Sequence, residues 1–308
     1  MDISKADIAE QEKSKAALSS VIAAVTLTCF KIIVGLATGS LGILAEATHS
    51  SLDLVTALVT FFAVRISGKP ADAEHRYGHG KVENLSALFE TFLLLVTCIW
   101  IIYEAIHRLF FSQVLVQATV WSFIVMATSI IIDFSRSRIL FRTAKKYHSQ
   151  ALEADALHFS TDIWSSSVVI VGLICLVIGN RVPALVFLDK ADSIAALGVA
   201  AIVIYVSIQL GTRTITGLLD TAPQGAVERI KSGVEALPGV TNCHNVRVRA
   251  SGPHLFVDVH VLVDGNQTLF QAHALTETIE NKIKELLPEA DVIVHPEPEF
   301  NIDNPVFK

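Results

Sequence analysis

The chain has 308 residues, 52% of them hydrophobic and only 18% charged, with a mean hydropathy of +0.52. That balance excludes an intrinsically disordered or collagen-like chain, and four scattered cysteines (Cys29, Cys98, Cys175 and Cys243) without a CxxC pair exclude a disulfide-stapled secreted fold. The formal charge of −6 is concentrated at one end: from Arg213 onward there are 13 acids and 8 Lys+Arg, a net of −5, which suits a cation-attracting tail and argues against a nucleic-acid partner.

Six apolar runs are long enough to cross a bilayer, which takes about 20 residues. They lie at roughly 16–38, 41–64, 84–107, 115–135, 153–179 and 186–211. The acid-bearing opening Met-Asp-Ile-Ser-Lys-Ala-Asp leads into a full-length span, so it does not read as a cleaved signal peptide. Lys and Arg are concentrated in the 65–81 connection (Arg65, Lys69, Arg76, Lys81) and the 136–150 connection (Arg136, Arg138, Arg142, Lys145, Lys146). The Gly39-Ser40 turn has no charge, the 108–114 connection only Arg108, and the 180–191 connection Arg181 and Lys190. This asymmetry predicts that both termini are cytoplasmic.

The tail has a different period. Val257, Val259, Val261 and Val263 alternate with Phe256, Asp258, His260 and Leu262, the pattern of a half-buried strand. The predicted order is helix (about 224–236), strand (240–250), strand (254–263), helix (268–287) and strand (291–295), with Gly252-Pro253 as the hairpin turn and both helices on one face of the sheet. Residues 1–212 are therefore read as a six-helix transmembrane domain and 213–308 as a small soluble α+β domain.

Polar side chains inside spans are costly unless they face a partner or a cavity. His49 and Asp53 in the second span are four apart and project from one helical face, and His158 and Asp162 repeat the spacing in the fifth. One such pair is as well explained by a hydrogen bond tying helices together. Two matched pairs can converge into a two-nitrogen, two-oxygen cage, the tetrahedral set that suits zinc. Lys31, Glu90, Glu104 and Asp133 also lie in or near spans, and are read as ion pairs or interface-seeking side chains with no ligand role.

Two further clusters lie outside the spans. Asp72, His75 and His79 in the connection after the second span have a metal-ligand spacing. The tail supplies His244, His260, His273 and His295, with Glu297 two residues beyond the last; their placement in an acidic domain favours a metal cluster.

Three stretches carry a resemblance: Leu-Gly-Ile-Leu-Ala-Glu-Ala-x-His-Ser-x-x-Asp (41–53), Pro-Ala-Asp with His-x-x-Gly-His-Gly-Lys (70–81), and Leu-His-x-x-x-Asp in the fifth span. They resemble the cation diffusion facilitator family of metal/proton antiporters over essentially the whole chain. The resemblance implies six transmembrane helices plus a C-terminal cytoplasmic metallochaperone-like (ferredoxin-like) α+β domain, and a homodimer in the lipid bilayer. It implies that His49, Asp53, His158 and Asp162 form the transport site and that Asp72, His75 and His79 form a loop site. His244, His260, His273 and His295 fall where the family's dimer-interface metal site lies, with Glu297 standing for an aspartate of relatives, and Lys81 with Asp220 matches an inter-subunit salt bridge. Some bacterial relatives carry aspartate where His49 stands, and the His-Asp-His-Asp version is associated with zinc preference over cadmium. Pro296 replaces a polar residue that is a ligand in some relatives, and the chain lacks the long histidine-rich loop of many eukaryotic zinc members, which fits a prokaryotic inner-membrane protein.

The resulting expectation is Zn2+ efflux coupled to proton entry: metal loading displaces protons from the cage histidines, and protonation from the other side ejects the metal. No Walker P-loop is present, so no nucleotide is expected to drive the step. A zinc hydrolase would keep an open coordination position for water, and a channel would not hold its ion in a tight four-ligand cage. A metal-sensing scaffold without transport would not need costly ligands in the bilayer.

Overall fold

A chain in hydrocarbon must satisfy its backbone internally, so the apolar runs form helices. The computed structural model describes residues 5–110, 120–179, 191–252, 254–288 and 290–299. Six long helices come first: α1 (Lys5–Thr38), α2 (Leu41–Ser67), α3 (Lys81–Phe110), α4 (Val120–Tyr147), α5 (Gln150–Gly179) and α6 (Ala191–Leu218). Among the described residues, four segments are long and apolar enough to cross a membrane: Ile8–Thr38, Leu41–Ser67, Lys81–His107 and Leu197–Leu218. The other two helices, α4 and α5, are comparable in length, at 28 and 30 residues. Together they make a helical membrane domain.

The α1–α2 turn shows how the local sequence decides. Gly39 takes φ +64°, which an L side chain rarely adopts. Ser40 then caps α2, its Oγ accepting from the Ile43 N–H. The helices α1 and α2, α3 and α6, and α4 and α5 pack lengthwise in pairs. Small residues at the contacts (Ala16, Ala17, Ala144, Ala151 and Ala156) let α1, α4 and α5 approach closely around Phe159 and Leu152. Ile22, Leu36, Phe62, Phe92, Trp100 and Ile131 point outward, where a bilayer meets them.

Several predicted boundaries need correction. Residues 136–147 are not a connection but the end of α4. The run Arg138 to Lys146 is rich in good helix formers, and the helix continues until His148 takes φ +51° and Ser149 caps α5. Arg136, counted above as a connection charge, is buried at 4% exposure and holds Asp133 at 3.1 Å. Arg138, Arg142, Lys145 and Lys146 do stand exposed at that end. Likewise α6 continues to Leu218, past the domain boundary placed at 212, because nothing in Thr212-Arg213-Thr214 breaks a helix. The 108–114 and 180–191 connections, with Arg108, Arg181 and Lys190, and the Glu104 side chain lie largely outside the described residues.

At the end of the bundle nearest the tail, Glu83 joins four helices. It accepts from Lys13 Nζ of α1 at 2.8 Å and from Ser67 of α2 at 2.9 Å, and from the hydroxyl of Ser149 at the start of α5. Both Lys13 and Glu83 are buried.

The tail forms α7 (Ala226–Glu235), β1 (Val240–Ser251), β2 (His254–Asp264), α8 (Leu269–Leu286) and β3 (Ala290–Glu299). The sheet order is β1-β2-β3, β1 antiparallel and β3 parallel to β2, with α8 as the crossover. A capping box of Thr268 and Gln271 starts α8. The valine face of β2 is buried against Ile230 and Val234 of α7 and Ile279 and Ile283 of α8, so both helices cover one face and leave the other bare. The last strand runs four residues beyond the predicted end at 295, pairing through Asp264 with Glu299. Pro296 and Pro298 are tolerated because β3 is the sheet edge, where a missing N–H costs no ladder bond. Gly252, at φ +60°, turns the β1–β2 hairpin; Pro253 lies outside the described residues.

The 68–80 loop touches that hairpin. The Arg249 guanidinium lies 3.8 Å over the Tyr77 ring, and Tyr77 meets Phe256 edge-on at 5.1 Å. A Cβ on Gly80 would stand 2.3 Å from the Ser251 carbonyl oxygen, so only glycine permits this approach.

Candidate metal centre

The matched His–Asp spacings do converge. From α2 and α5, His49 Nε2 lies 3.9 Å from Asp53 Oδ1 and 3.7 Å from Asp162 Oδ1, while His158 Nε2 lies 3.2 Å from Asp53 Oδ1 and 3.7 Å from Asp162 Oδ2. Each carboxylate thus faces both imidazoles. The ligand atoms of His49, Asp53 and Asp162 all fall within 4.8 Å of one another, a span that one tetrahedral ion can draw together. Asp53 and His158 are buried, whereas the His49 side chain is 41% exposed and forms the open wall. The surrounding polar groups agree with the roles read from the sequence for Lys31, bonded to Ser50 at 2.8 Å and Glu46 at 3.2 Å, and for Asp133, paired with Arg136. Glu90 differs: its hydrogen-bond partners are the hydroxyls of Thr60 and Ser86, and it forms no ion pair among the described residues.

Asp72, His75 and His79 form a second cluster. Asp72 Oδ1 is 3.4 Å from His75 Nδ1 and its Oδ2 3.4 Å from His79 Nε2. The same carboxylate accepts the backbone N–H of His75 at 2.6 Å and of Glu74 at 2.9 Å, closing a turn that brings the histidines together. These N–H bonds, His75 first, hold the Asp72 carboxyl below the usual aspartate range, with the charges of both rings adding to them. A group with a depressed folded value stabilises the fold above its unfolded value and loses that contribution as pH falls through the folded one. The melting difference between the native chain and Asp72→Asn is therefore expected to be full at neutral pH and to begin to shrink only below about pH 3.9, the ordinary aspartate value. Melting scans from pH 7 to pH 3 check it, and a difference that grows on acidification would refute the turn's role.

On the bare face of the tail sheet, strand register aligns His244, His260 and His295 in one row, since His244 pairs with His260 and His260 with His295. Glu297, two residues beyond His295 on the same face, binds His260 Nδ1 at 2.6 Å and lies 3.2 Å from His244 Nε2 and 3.8 Å from His295 Nε2. The bond from His260, then the charges of the three rings, hold its carboxyl below the usual glutamate range. His273 does not join them. It lies on α8, across the sheet, is 71% exposed and pairs with Glu277 at 3.6 Å. The reason is that β2 sends its valines toward α8 and its histidine away from it. Glu297→Gln is accordingly expected to weaken zinc binding to the tail by at least about tenfold, and His273→Ala to leave it unchanged, as titration calorimetry of the full chain would read.

Lys81 and Asp220 lie together within the chain, Nζ 2.8 Å from Oδ1. The start of α3 lies beside the end of α6, which brings the two side chains together; Lys81 also reaches the Leu218 carbonyl at 3.4 Å. Sequence reasoning missed Glu83 and Lys13, 70 residues apart, and Asn245, whose side-chain nitrogen lies 3.1 Å from His260 Nε2. It also passed over Asp155, whose place one turn before His158 was a readable signal.

Histidines and carboxylates gathered inside a helical membrane bundle, with further such clusters in the polar parts of the chain, suit a membrane protein that handles metal ions. Comparison agrees over nearly the whole length. Residues 17–219 match the family model for the cation efflux transmembrane domain, and residues 222–299 that for the cytoplasmic domain of cation efflux proteins, a dimerisation module in this family. The cation-efflux pump FieF of Cronobacter sakazakii is 33% identical over 290 residues, and that of Klebsiella pneumoniae 32% over 288, each alignment covering 92% of both chains. Among solved structures, CzrB in its zinc form is 26% identical, covering 26% of this chain and 92% of that one at a TM-score of 0.24. The MamM C-terminal domain is 25% identical, covering 25% and 98%, also at 0.24. The chain belongs to the cation efflux, or cation diffusion facilitator, family: it is an integral membrane transporter and not an enzyme.

Proposed function

We propose that this protein exports a divalent transition-metal cation, zinc foremost, from the cytoplasm in exchange for protons. The observation that carries this reading is the convergence of His49, Asp53, His158 and Asp162 from α2 and α5. Two imidazoles and two carboxylates in a tetrahedral set suit Zn2+, and export by FieF relatives is consistent with outward movement. Each histidine nitrogen must be unprotonated to bind metal, so loading releases protons and reprotonation releases metal. Rocking of the helices about the fixed cage would expose it alternately to the two sides. The exposed basic residues of α4 support an orientation with both termini in the cytoplasm of a bacterial inner membrane.

The protein acts as a homodimer in this reading, with the helical domain, through the end of α6 at Leu218, as the transport domain and the tail beyond it as the regulatory domain. Metal at His244, His260, His295 and Glu297 neutralises an acidic surface and favours association of two tail domains. Asp72, His75 and His79 take a further ion beside the hairpin that Tyr77 contacts. Proteoliposomes loaded with an internal pH dye and given external zinc test the proposal. Zinc entry with opposite proton movement is expected; zinc that binds without crossing would replace the transporter reading with a sensor.

A further inference from the structure

His158 Nε2 faces the two cage carboxylates, yet its Nδ1 is buried with no hydrogen-bond partner among the described residues. One turn earlier on α5, Asp155 is fully buried. Its Oδ2 accepts from the Ser20 hydroxyl of α1 at 3.1 Å, and its Oδ1 has no partner among the described residues. Arg136 of α4 donates to Ser20 Oγ at 3.1 Å and lies 3.5 Å over the Phe159 ring, so the far side of the carboxylate is held by packed groups. Residues three apart on a helix are surface neighbours. An unpartnered ring nitrogen and an unpartnered carboxylate oxygen thus belong to residues one turn apart on the same helix, in an interior where both are costly.

A neutral imidazole carries a single N–H. A metal on Nε2 requires that hydrogen on Nδ1, and metal-bound histidines generally donate it to a carboxylate or carbonyl. Resting on the cage reading above, we propose that Asp155 Oδ1 accepts the His158 Nδ1–H in the loaded state, which makes Asp155 a positioning residue for the transport histidine. The competing acceptor is Glu90, whose Oε2 is also buried and unpartnered among the described residues. Glu90 belongs to α3, and a rocking motion that shifts α3 against α5 would break such a bond. Asp155 travels with His158 on one helix, so its bond survives in both access states.

The test uses the full chain in detergent, with Asp72→Ala and His75→Ala silencing the loop cluster and His244→Ala and Glu297→Ala the tail cluster. Zinc affinity is read by competition with a chromophoric chelator. Asp155→Ala and Asp155→Leu, which lack an acceptor, are expected to bind zinc about 10- to 100-fold more weakly. Asp155→Asn, whose amide oxygen still accepts, recovers part of that loss, and Glu90→Met, which has no acceptor oxygen, binds as the background chain does. The d–d absorption of the cobalt(II)-loaded cage should shift in the acceptor-free variants, which a loosened bundle alone would not produce. The leucine variant fills the aspartate's volume and carries the test if the alanine variant does not fold. Background-like affinity and spectrum in the acceptor-free Asp155 variants, or an equal loss in Glu90→Met, overturns the assignment. If the background chain itself binds no metal, the cage reading falls and takes this assignment with it.

Discussion

Asp162→Ala is expected to weaken zinc binding at the cage by more than about 100-fold, since losing an outer-shell partner alone costs 10- to 100-fold, and to stop metal movement in proteoliposomes. The reason is geometric and electrostatic together. Asp162 is 3.7 Å from both His49 and His158, one oxygen toward each, so its removal takes away a ligand and the anion that sits between the two rings. An ion of charge +2 is balanced by Asp53 and Asp162 together; one carboxylate leaves a charge uncompensated in a buried setting, where electrostatic terms are large. Asp162→Asn keeps the shape and an acceptor oxygen but not the charge, so it should fall between the native chain and the alanine variant. Initial zinc flux into vesicles measures all three. Native flux in Asp162→Ala, with loop and tail clusters intact, would place the translocated ion elsewhere.

The cage was legible because its information is local. A helix puts i and i+4 on one face, and an imidazole with a carboxylate in an apolar run has no bland reason to occur twice. Tail strands were legible for a similar reason, the two-residue period of Val257 to Val263. Which of the four tail histidines share one row was not, because it depends on cross-strand register. That register shifts at an irregularity between His244 and Arg247 on β1 and follows a parallel crossover to β3, and neither can be counted along the chain. His273 misled for the same reason: near in sequence and right in chemistry, it sits in the helical layer on the other side of the sheet. Arg136 was misread because charge alone suggested a connection, whereas Asp133, Ser20 and the Phe159 face supply what a buried guanidinium needs. The place of Asp155 one turn before His158 was readable, but the orphaned atoms that set it apart from an ordinary buried acid needed atomic detail.

The largest loss of stability is expected at Glu83. This carboxylate gathers the Lys13 ammonium and the Ser67 and Ser149 hydroxyls, and so ties α1, α2, α3 and the first turn of α5 together at one end of the bundle. Lys13 is only 4% exposed. Glu83→Ala leaves its charge buried without its partner, and removing one member of a buried pair costs about 3–5 kcal/mol. The double variant Lys13→Met with Glu83→Gln removes both charges while the amide oxygen can still accept from a serine, and should recover most of that loss. Melting of the full chain in detergent reads the difference between the single and double variants. Because the hub lies away from the cage, zinc affinity of the folded Glu83→Ala protein at low temperature should stay native; what changes is how firmly four helices are held together at the tail-proximal end. If the single variant melts with the native chain, the Lys13–Glu83 contact contributes no net stability and the ends of these helices are held by packing alone.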